Sequence, residues 1–231
     1  TDYISYDHYP LLGSNSTGKT SIEPTFIVSM QYVAQRAKAT NREMWTYLQS
    51  IGYGGANRIP TSAADISFQA YTFLAYGGKQ ISWFCYWSPI RYDGLTHFTE
   101  AMIELDGTKT AVYDYVKEIN REILAFDDIY DNFEYVAKYV MTSHPRIEKY
   151  TAEQDTLIGV FKDKAGKEDG FMVVNFTDPA KNLSNKIEIT FKDTNYAAVV
   201  VDGELTTIKL NNGVLKLNLD SGDGAFVIPL K

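Results

Sequence analysis

The chain has 231 residues, of which 45% are hydrophobic and 22% are charged, and this is the composition of a soluble globular protein. Its net charge of −7 argues against nucleic acid as a partner, because no basic stripe is available to neutralise phosphates. No apolar run approaches the length of about 20 residues that a membrane helix needs, so no membrane partner is expected.

The N-terminal half of the chain contains three predicted strand–helix pairs. Each predicted helix has apolar residues at helical spacing, as at Ile66, Ala70 and Phe73. Each crossover is long enough for a right-handed connection between parallel strands, so this part predicts a parallel sheet with helices outside. The predicted strands are 3–6, 44–49 and 81–89, and the predicted helices are 26–38, 62–76 and 108–125.

The third predicted strand, 81–89, is rich in aromatic residues. It holds two tryptophans, a phenylalanine and a tyrosine, and it lies between Gly77-Gly78 and Pro89. A short apolar run without a polar face predicts a strand that is buried on both faces. Cys85 is the only cysteine, so an intrachain disulfide is excluded, and its place in this strand predicts a buried, inert thiol.

The pattern changes near residue 126 to short segments with period-two alternation. Asp202-Gly203 and Asn212-Gly213 are typical of tight hairpin turns. Because no helical pattern separates the segments, they predict an antiparallel β-sandwich over 127–231 that follows an α/β domain over 1–126. The predicted strands are 133–141, 157–162, 170–176, 186–192, 196–202, 204–210, 214–219 and 225–230.

The histidines and the single cysteine give no pattern of metal ligands. His8, His97 and His144 are far apart in sequence and do not have the spacing of a zinc site. We therefore predict no metal and no cofactor.

Residues 13–20, GSNSTGKT, match the GxxxxGK[ST] pattern of a phosphate-binding loop between a strand and a helix. In such a loop, backbone amides and Lys19 would hold phosphates and Thr20 would bind magnesium. Pro24 argues against this interpretation, because it would fall inside the helix that must follow. Nucleotide binding is kept as the less favoured alternative, and the simpler interpretation of this segment is a flexible polar loop.

A broader pattern appears when the strand ends are considered together. The N-terminal half resembles the last three βα units of a TIM-barrel glycoside hydrolase, of the beta-galactosidase-like kind common in bacterial carbohydrate utilisation. The C-terminal half resembles the β-sandwich domain of such proteins. The segments that carry the resemblance are 2–11 (DYISYDHYPL), 44–50 (MWTYLQS), 68–81 (FQAYTFLAYGGKQI), 109–120 (KTAVYDYVKEIN) and 220–230 (DSGDGAFVIPL).

The resemblance implies a carbohydrate site at the carboxyl ends of the strands. Trp87 would be a platform under a sugar ring, and Asp7 would accept hydrogen bonds from sugar hydroxyls. For each residue the alternative is ordinary packing at a strand end. The implied substrate-binding residues are Asp7, His8, Tyr9, Gln49, Tyr86 and Trp87.

Gln49 departs from the family pattern. Many related barrels have a nucleophilic glutamate at this strand end, and an amide cannot attack an anomeric carbon. Glycoside hydrolysis ordinarily requires two carboxyl groups about 5 to 9.5 Å apart. Asp7, Asp93 and Glu100 are acids expected near the strand ends, but none has an identifiable partner. The catalytic residues are therefore unknown, and we expect this chain alone to be inactive.

The chain is also too short for the barrel that the resemblance implies. A full barrel takes about 250 residues, so three units would leave a strand edge unpaired and an apolar inner face open. The expected partners are a carbohydrate and either the missing N-terminal half of the barrel or a self-association partner. A periplasmic or extracellular location is favoured if the parent protein carries a signal peptide, and a cytoplasmic one otherwise.

These observations favour the C-terminal portion of a glycoside hydrolase that acts on an oligo- or polysaccharide. The alternative is a non-catalytic saccharide-binding or structural module. In either case the predicted fold class is α/β plus all-β, with the last units of a (β/α)8 barrel followed by an antiparallel sandwich.

Overall fold

The structure is a computed structural model, and it describes residues 1–13, 19–52, 57–89, 98–138 and 144–231. The chain is mixed α/β, and most of its strand pairs are antiparallel. It divides into two compact units. The first unit comprises Thr1–Ala70 and Gly78–Asn120, and the second comprises Tyr71–Gly77 and Arg121–Lys231.

The first unit contains a three-stranded parallel sheet with connecting helices, so the three predicted strand–helix pairs are confirmed. In chain order the elements are β1 (Tyr3–Asp7), β2 (Leu11–Gly13), β3 (Thr20–Ile22), α1 (Phe26–Ala39), β4 (Glu43–Gln49), α2 (Ala63–Ala75), β5 (Gly78–Phe84) and α3 (Ala111–Leu124). The parallel strands are ordered β1-β4-β5. Helices α2 and α3 each continue into the second unit.

The two faces of the parallel sheet differ in burial. Met44, Thr46 and Leu48 of β4 are buried, whereas Glu43 and Tyr47 are exposed. Alternate residues of a strand point to opposite faces, and α1 packs on β1 and β4, so one face is covered and the other is open. The open face carries the aromatic side chains of Tyr3, Trp45 and Tyr47, whereas the aliphatic side chains of β4 point towards the helix.

Strand β5 differs from the predicted strand 81–89 in both extent and burial. It ends at Phe84, and its residues from Ile81 to Phe84 are only half-buried. The prediction of burial on both faces is wrong, because β5 is an outer strand whose sheet is covered on one face. Cys85 follows the strand and is half-buried, and this burial raises the pKa of its thiol.

The two ends of the segment that matches the phosphate-binding pattern lie in the paired antiparallel strands β2 and β3. Gly13 of β2 lies opposite Thr20 of β3, and helix α1 begins only at Phe26. A phosphate-binding loop requires a helix to begin at its Gly-Lys pair, so the nucleotide-binding alternative is wrong. Residues 14–18 of the motif lie outside the described residues.

The second unit is formed mainly by antiparallel strands. Its elements after α3 are α4 (Asp127–Asp131), β6 (Phe133–Lys138), β7 (Ile147–Ala152), β8 (Thr156–Asp163), β9 (Asp169–Asn175), β10 (Asn185–Phe191), β11 (Tyr196–Val201), β12 (Glu204–Lys209), β13 (Val214–Leu219) and β14 (Gly224–Leu230). The eight predicted strands are present as β6 and β8 to β14. Sequence reasoning missed β7, in which only Ile147 and Tyr150 are large apolar residues.

These strands form two sheets that share one hydrophobic core. The smaller sheet has the order β13-β10-β7 and the larger one β12-β11-β14-β9-β8-β6. Ile187 and Leu215 enter the core from the smaller sheet, and Val173 and Val227 enter it from the larger. Two antiparallel sheets with a common core are compatible with the predicted β-sandwich.

Both predicted tight turns are present. Asp202 and Gly203 have φ angles of 53° and 77°, and Asn212 and Gly213 have φ angles of 52° and 73°. Two successive residues with positive φ define the turn type that suits the twist of paired strands. Asn, Asp and Gly adopt this conformation more readily than other residues, so local sequence was enough to predict it.

Candidate functional site

The carboxyl edge of the parallel sheet, where β1, β4 and β5 end, is the candidate site. These strands end at Asp7, Gln49 and Phe84, and Gln49 lies opposite Phe84 in the ladder. The ring of Tyr9 stacks on that of Phe84, with ring centroids 5.7 Å apart and an interplanar angle of 21°. This contact brings the chain that follows β1 to the end of β5.

Trp87 and Tyr86 are the exposed aromatic residues of this edge. Their exposed fractions are 49% and 58%. The backbone amide of Ile103 donates to the Tyr86 carbonyl at 2.9 Å, and the Ser88 amide donates to the Ile103 carbonyl at 2.9 Å. The backbone of this pair is therefore held in place while both rings reach solvent, which is the condition that a stacking platform requires.

Asp7 is the exposed acid of this edge. It is the last residue of β1 and pairs in the ladder with Tyr47, which is 48% exposed. Both side chains point to the open face of the sheet, because they are in register on adjacent parallel strands. An exposed carboxylate can accept hydrogen bonds from sugar hydroxyls.

His8 is engaged in a contact within the chain. Its Nε2 lies 2.8 Å from Glu23 Oε2, and its ring packs edge-on against Phe26. Burial raises the pKa of Glu23, but hydrogen bonds from Thr25 and His8 outweigh it and lower the pKa below its usual value. This contact links the end of β1 to the start of α1, so His8 helps to hold the end of β1 in place.

Gln49 is a buried structural residue. Its side chain is fully buried, its Nε2 donates to the carbonyls of Ile51 and Arg58 at 3.0 and 2.7 Å, and its Oε1 accepts from the Leu11 amide at 3.0 Å. Both amide hydrogens are therefore used within the chain. With both donors engaged, the side chain holds the loop that follows β4, and the predicted role of Gln49 in binding sugar stays a prediction.

Arg58 and Asp65 form a buried ion pair beside Gln49 that the sequence did not reveal. The guanidinium donates two hydrogen bonds to the Asp65 carboxylate, at 2.7 and 2.6 Å. The Asp65 side chain is 1% exposed and that of Arg58 is 11% exposed. Since the Arg58 carbonyl also accepts from Gln49, this pair fixes the loop that follows β4 onto the start of α2. A Ser62–Asp65 capping interaction was the only local signal.

An aromatic cluster on the open face of the sheet was also missed. Tyr3 and Trp45 stack with centroids 3.8 Å apart and planes within 3°, and Trp45 Nε1 donates to Glu43 Oε2 at 2.8 Å. Period-two alternation over 43–47 was the signal that could have indicated it. The cluster lies at the amino-terminal end of the strands, away from the carboxyl edge.

Acidic residues are sparse around the candidate site. Asp93 and His97 lie outside the described residues, and Glu100 is exposed. Within the described ranges, no group of three or more His, Cys, Asp or Glu side chains is close enough to hold a metal ion. Among the helices described, none is long and apolar enough to cross a membrane.

No protein-family model and no curated protein sequence matches the chain. Among solved structures, an alpha-amylase from Geobacillus thermoleovorans complexed with acarbose aligns with a TM-score of 0.50 and 11% identity, over 87% of this chain and 42% of that one. An Anoxybacillus alpha-amylase aligns with a TM-score of 0.49 and 14% identity, over 87% and 42%. A GH30 endoxylanase from Clostridium papyrosolvens aligns with a TM-score of 0.45 and 10% identity, over 98% and 49%.

Of the three, the Geobacillus alpha-amylase, a glycoside hydrolase, reaches a TM-score of 0.50, and the fold of the chain is similar to the part of that protein with which it aligns. At such low identity the similarity concerns the fold alone. The chain spans less than half the length of each of the three proteins. The predicted resemblance to glycoside hydrolases is therefore confirmed at the level of the fold.

Proposed function

We propose that the chain is the C-terminal portion of a carbohydrate-active protein of the beta-galactosidase-like kind. In this proposal β1, β4 and β5 are the last strands of a (β/α)8 barrel, and residues 127–231 form its C-terminal β-sandwich domain. The observation that carries the proposal is the open parallel sheet with exposed Trp87, Tyr86 and Asp7 at its carboxyl edge. In barrel enzymes this edge is where substrates bind.

The ligand that suits this edge is an oligo- or polysaccharide. The flat, half-exposed ring of Trp87 offers an apolar surface to the C–H face of a sugar, and Tyr86 extends this surface. Asp7 supplies a hydrogen-bond acceptor for hydroxyl groups at the same edge. Tyr9 and His8 take part by packing, since both make contacts within the chain.

Hydrolysis requires a pair of carboxyl groups, and no such pair is identified among the described residues at this edge. Two carboxyl groups about 5 to 9.5 Å apart are needed, and at the end of β4 the chain has the amide of Gln49. We infer that at least part of the catalytic pair belongs to the missing barrel units. A partner polypeptide that supplies them would pair with the free edges of β1 and β5, which each have one neighbour among the described strands.

Saccharide binding can be tested with one tryptophan variant and one tyrosine variant as its control. Calorimetric titration of the 231-residue chain with maltotriose, xylotriose and lactose should detect binding of at least one of them. Trp87→Ala should weaken it about tenfold, because stacking on a sugar contributes on the order of 1 kcal/mol or more. Tyr32→Ala is the control, since Tyr32 is 70% exposed on α1. Equal effects of the two substitutions would contradict the proposed site.

The inactivity of the isolated chain and its open edges can be tested separately. Turnover of aryl-glycosides by the 231-residue chain would overturn the claim that catalytic groups are missing. In amide hydrogen exchange, the outward amides of β1 and β5 should exchange faster than those of the central β4. Equal protection of all three strands would show that another chain or a second copy already covers the edges.

A further inference from the structure

A cavity of about 410 Å³ lies at one end of the two-sheet unit. It is formed where the turn between β10 and β11 meets the turn before β13 and the start of β7. We call it the turn cavity. One polar lining side chain, Thr194, donates to the Lys192 carbonyl at 2.8 Å. The other polar lining side chains are Glu148, Lys192, Asp193, Asn195 and Asn212.

Apart from Thr194, five polar side chains line the turn cavity and are available to a ligand. None of them makes a hydrogen bond or an ion pair within the part of the chain that the structure describes. On the same sheet, by contrast, Lys216 pairs with Glu188 at 2.8 Å. Two carboxylates, two amides and one ammonium group therefore share one concave surface without satisfying each other.

A β-bulge places Glu148 in the turn cavity. Thr190 of β10 lies opposite Lys149, but the next residue, Phe191, lies opposite Ile147. Glu148 is therefore the extra residue that has no ladder partner. Bulges of this kind redirect a side chain and are frequent beside functional sites.

Close contact between the two turns shapes the wall of the turn cavity. The Phe191 amide donates to the Gly213 carbonyl at 2.8 Å, which joins the end of β10 to the turn at Asn212. A side chain at Gly213 would overlap the Phe191 carbonyl. The backbone of both turns is thus fixed relative to one another, and the polar groups of Asp193 and Asn212 are held beside the same concavity.

The chemistry of the lining indicates the ligand. Lys192 and the amides of Asn195 and Asn212 donate hydrogen bonds, whereas Glu148 and Asp193 accept them. Sugar hydroxyls both donate and accept, so they match this mixture. Two carboxylates disfavour an anion, the ammonium disfavours a bare metal cation, and the ring of Phe191 is too deeply buried to bind an apolar ligand. The volume falls within the range of small-molecule sites.

We propose that the turn cavity binds a neutral saccharide unit, as a second site on the chain that does not depend on the carboxyl edge of the parallel sheet. Glu148 and Asp193 accept hydrogen bonds from sugar hydroxyls, and Lys192 and Asn195 donate to the sugar oxygens. Because the lining is polar and solvent-exposed, recognition rests on hydrogen bonds rather than on stacking.

The test is a titration of the full, isotope-labelled chain with maltotriose, xylotriose and lactose, followed by amide NMR shifts. At least one probe should shift the amides of residues 192–195 and 212–213. Asp193→Gly and Glu148→Ala should each weaken this response about tenfold, as expected for the loss of a hydrogen bond to a charged group. Glycine is chosen because Asp193 has a φ of 50°. Glu188→Gln, on the same sheet, and Trp87→Ala should leave it unchanged.

Three results would overturn this assignment. No shift of these amides with any probe would remove the site, and an unchanged response in Asp193→Gly and Glu148→Ala would place binding elsewhere. Shifts of the same amides by calcium ions, but not by sugars, would make it a cation site. If either variant fails to fold, Asn195→Ala replaces it. Loss of the response in Trp87→Ala alone would assign binding to the carboxyl edge instead.

Discussion

Buried polar residues hold the loop behind the candidate site in place. Asp65 accepts from the Arg58 guanidinium and from the Thr61 amide, and Gln49 donates to the carbonyl groups of Ile51 and Arg58. A buried charge left without its partner destabilises a protein strongly, so the loop and the end of β4 depend on each of these groups.

We predict that Asp65→Asn destabilises the first unit by about 3–5 kcal/mol, because Arg58 would stay buried without its counter-charge. Urea unfolding followed by tryptophan fluorescence measures this change, since all three tryptophans lie in that unit. Glu188→Gln breaks the exposed Glu188–Lys216 pair of the second unit, and urea unfolding followed by far-UV circular dichroism should show a cost of about 0–1 kcal/mol. Equal costs for the two variants would show that the Arg58–Asp65 pair is not buried in solution.

His144 gives the second unit a dependence on pH. Burial lowers the pKa of its imidazole, Lys162 and Arg146 lower it further, and Asp169 opposes them. The unfolded chain therefore binds a proton at higher pH than the folded chain does. The stability that depends on neutral His144 is complete above the unfolded pKa of about 6.5 and is lost as the pH falls.

We predict that thermal unfolding of the chain shifts to lower temperature between about pH 7.5 and 5.5, and that His144→Gln makes this shift smaller. Calorimetry at several pH values measures it. Lys162→Met should raise the pKa of His144, because it removes a neighbouring positive charge, and an NMR titration of the imidazole would detect this change. An identical pH dependence in His144→Gln and the unsubstituted chain would contradict the assignment.

At the scale of elements, the end of helix α2 depends on one glycine. Gly77 has a φ of 81°, and a Cβ there would overlap the Cβ of Tyr135 on β6. Two requirements therefore coincide at Gly77, a left-handed backbone and a close approach to a strand. The sequence indicated only the first, through the Gly77-Gly78 pair that follows the helical pattern.

We predict that Gly77→Ala destabilises the second unit by about 2–5 kcal/mol, the sum of backbone strain and steric overlap. Gly166→Ala is a matched control. Gly166 has a φ of 72° but no atom within 4 Å of the added Cβ, so only the strain of about 1–2 kcal/mol should remain. Chemical denaturation measures both variants, and equal costs would show that Tyr135 moves away without loss.

Strand β5 shows where element prediction was incomplete. The aromatic run from Ile81 to Pro89 predicted the strand correctly, but not its burial or its end. Tyr86 and Trp87 leave the ladder and pair through backbone contacts with Ile103 instead. The apolar composition of a strand shows that its side chains can be buried. Whether one or both faces are covered depends on the strand's neighbours in the sheet, which the composition does not specify.

At the scale of the whole molecule, residues 71–77 belong to the unit formed by the C-terminal strands. The Tyr130 hydroxyl donates to the Leu74 carbonyl at 2.7 Å, and the backbone of Ala75 lies against Gly159 so closely that no side chain would fit there. The ring of Tyr76 packs near Tyr135. The end of α2 is thus part of the surface on which the larger sheet is built.

We predict that residues 127–231, expressed alone, are less stable than the second unit within the full chain. The excised segment lacks 71–77, so Tyr130 loses its buried acceptor and the face of the larger sheet that bears Phe161 and Phe226 is uncovered. Circular dichroism melting and binding of a hydrophobic dye would detect this change. A fragment as stable as the full chain would show that the predicted division at residue 126 marks an independent domain.

The local features of this protein could be predicted from its amino-acid sequence. Strand–helix alternation, the period-two strands and the turns at Asp202-Gly203 and Asn212-Gly213 follow from side-chain spacing and backbone preference, which act over a few residues. The similarity to the fold of glycoside hydrolases could also be predicted, because residues typical of such proteins occur at the strand ends. Tyr86 and Trp87 follow the end of β5, and their role in binding sugar stays a prediction.

How these elements are covered and paired depends on contacts between residues that are distant in sequence. The tertiary structure made Gln49 a buried structural amide, paired Arg58 with Asp65, opened one face of the parallel sheet and placed 71–77 with the C-terminal strands. Each of these outcomes depends on residues that are distant in sequence. Hydrogen-bond partners and covering layers are set by the packing of the folded chain, and spacing along the sequence does not record them.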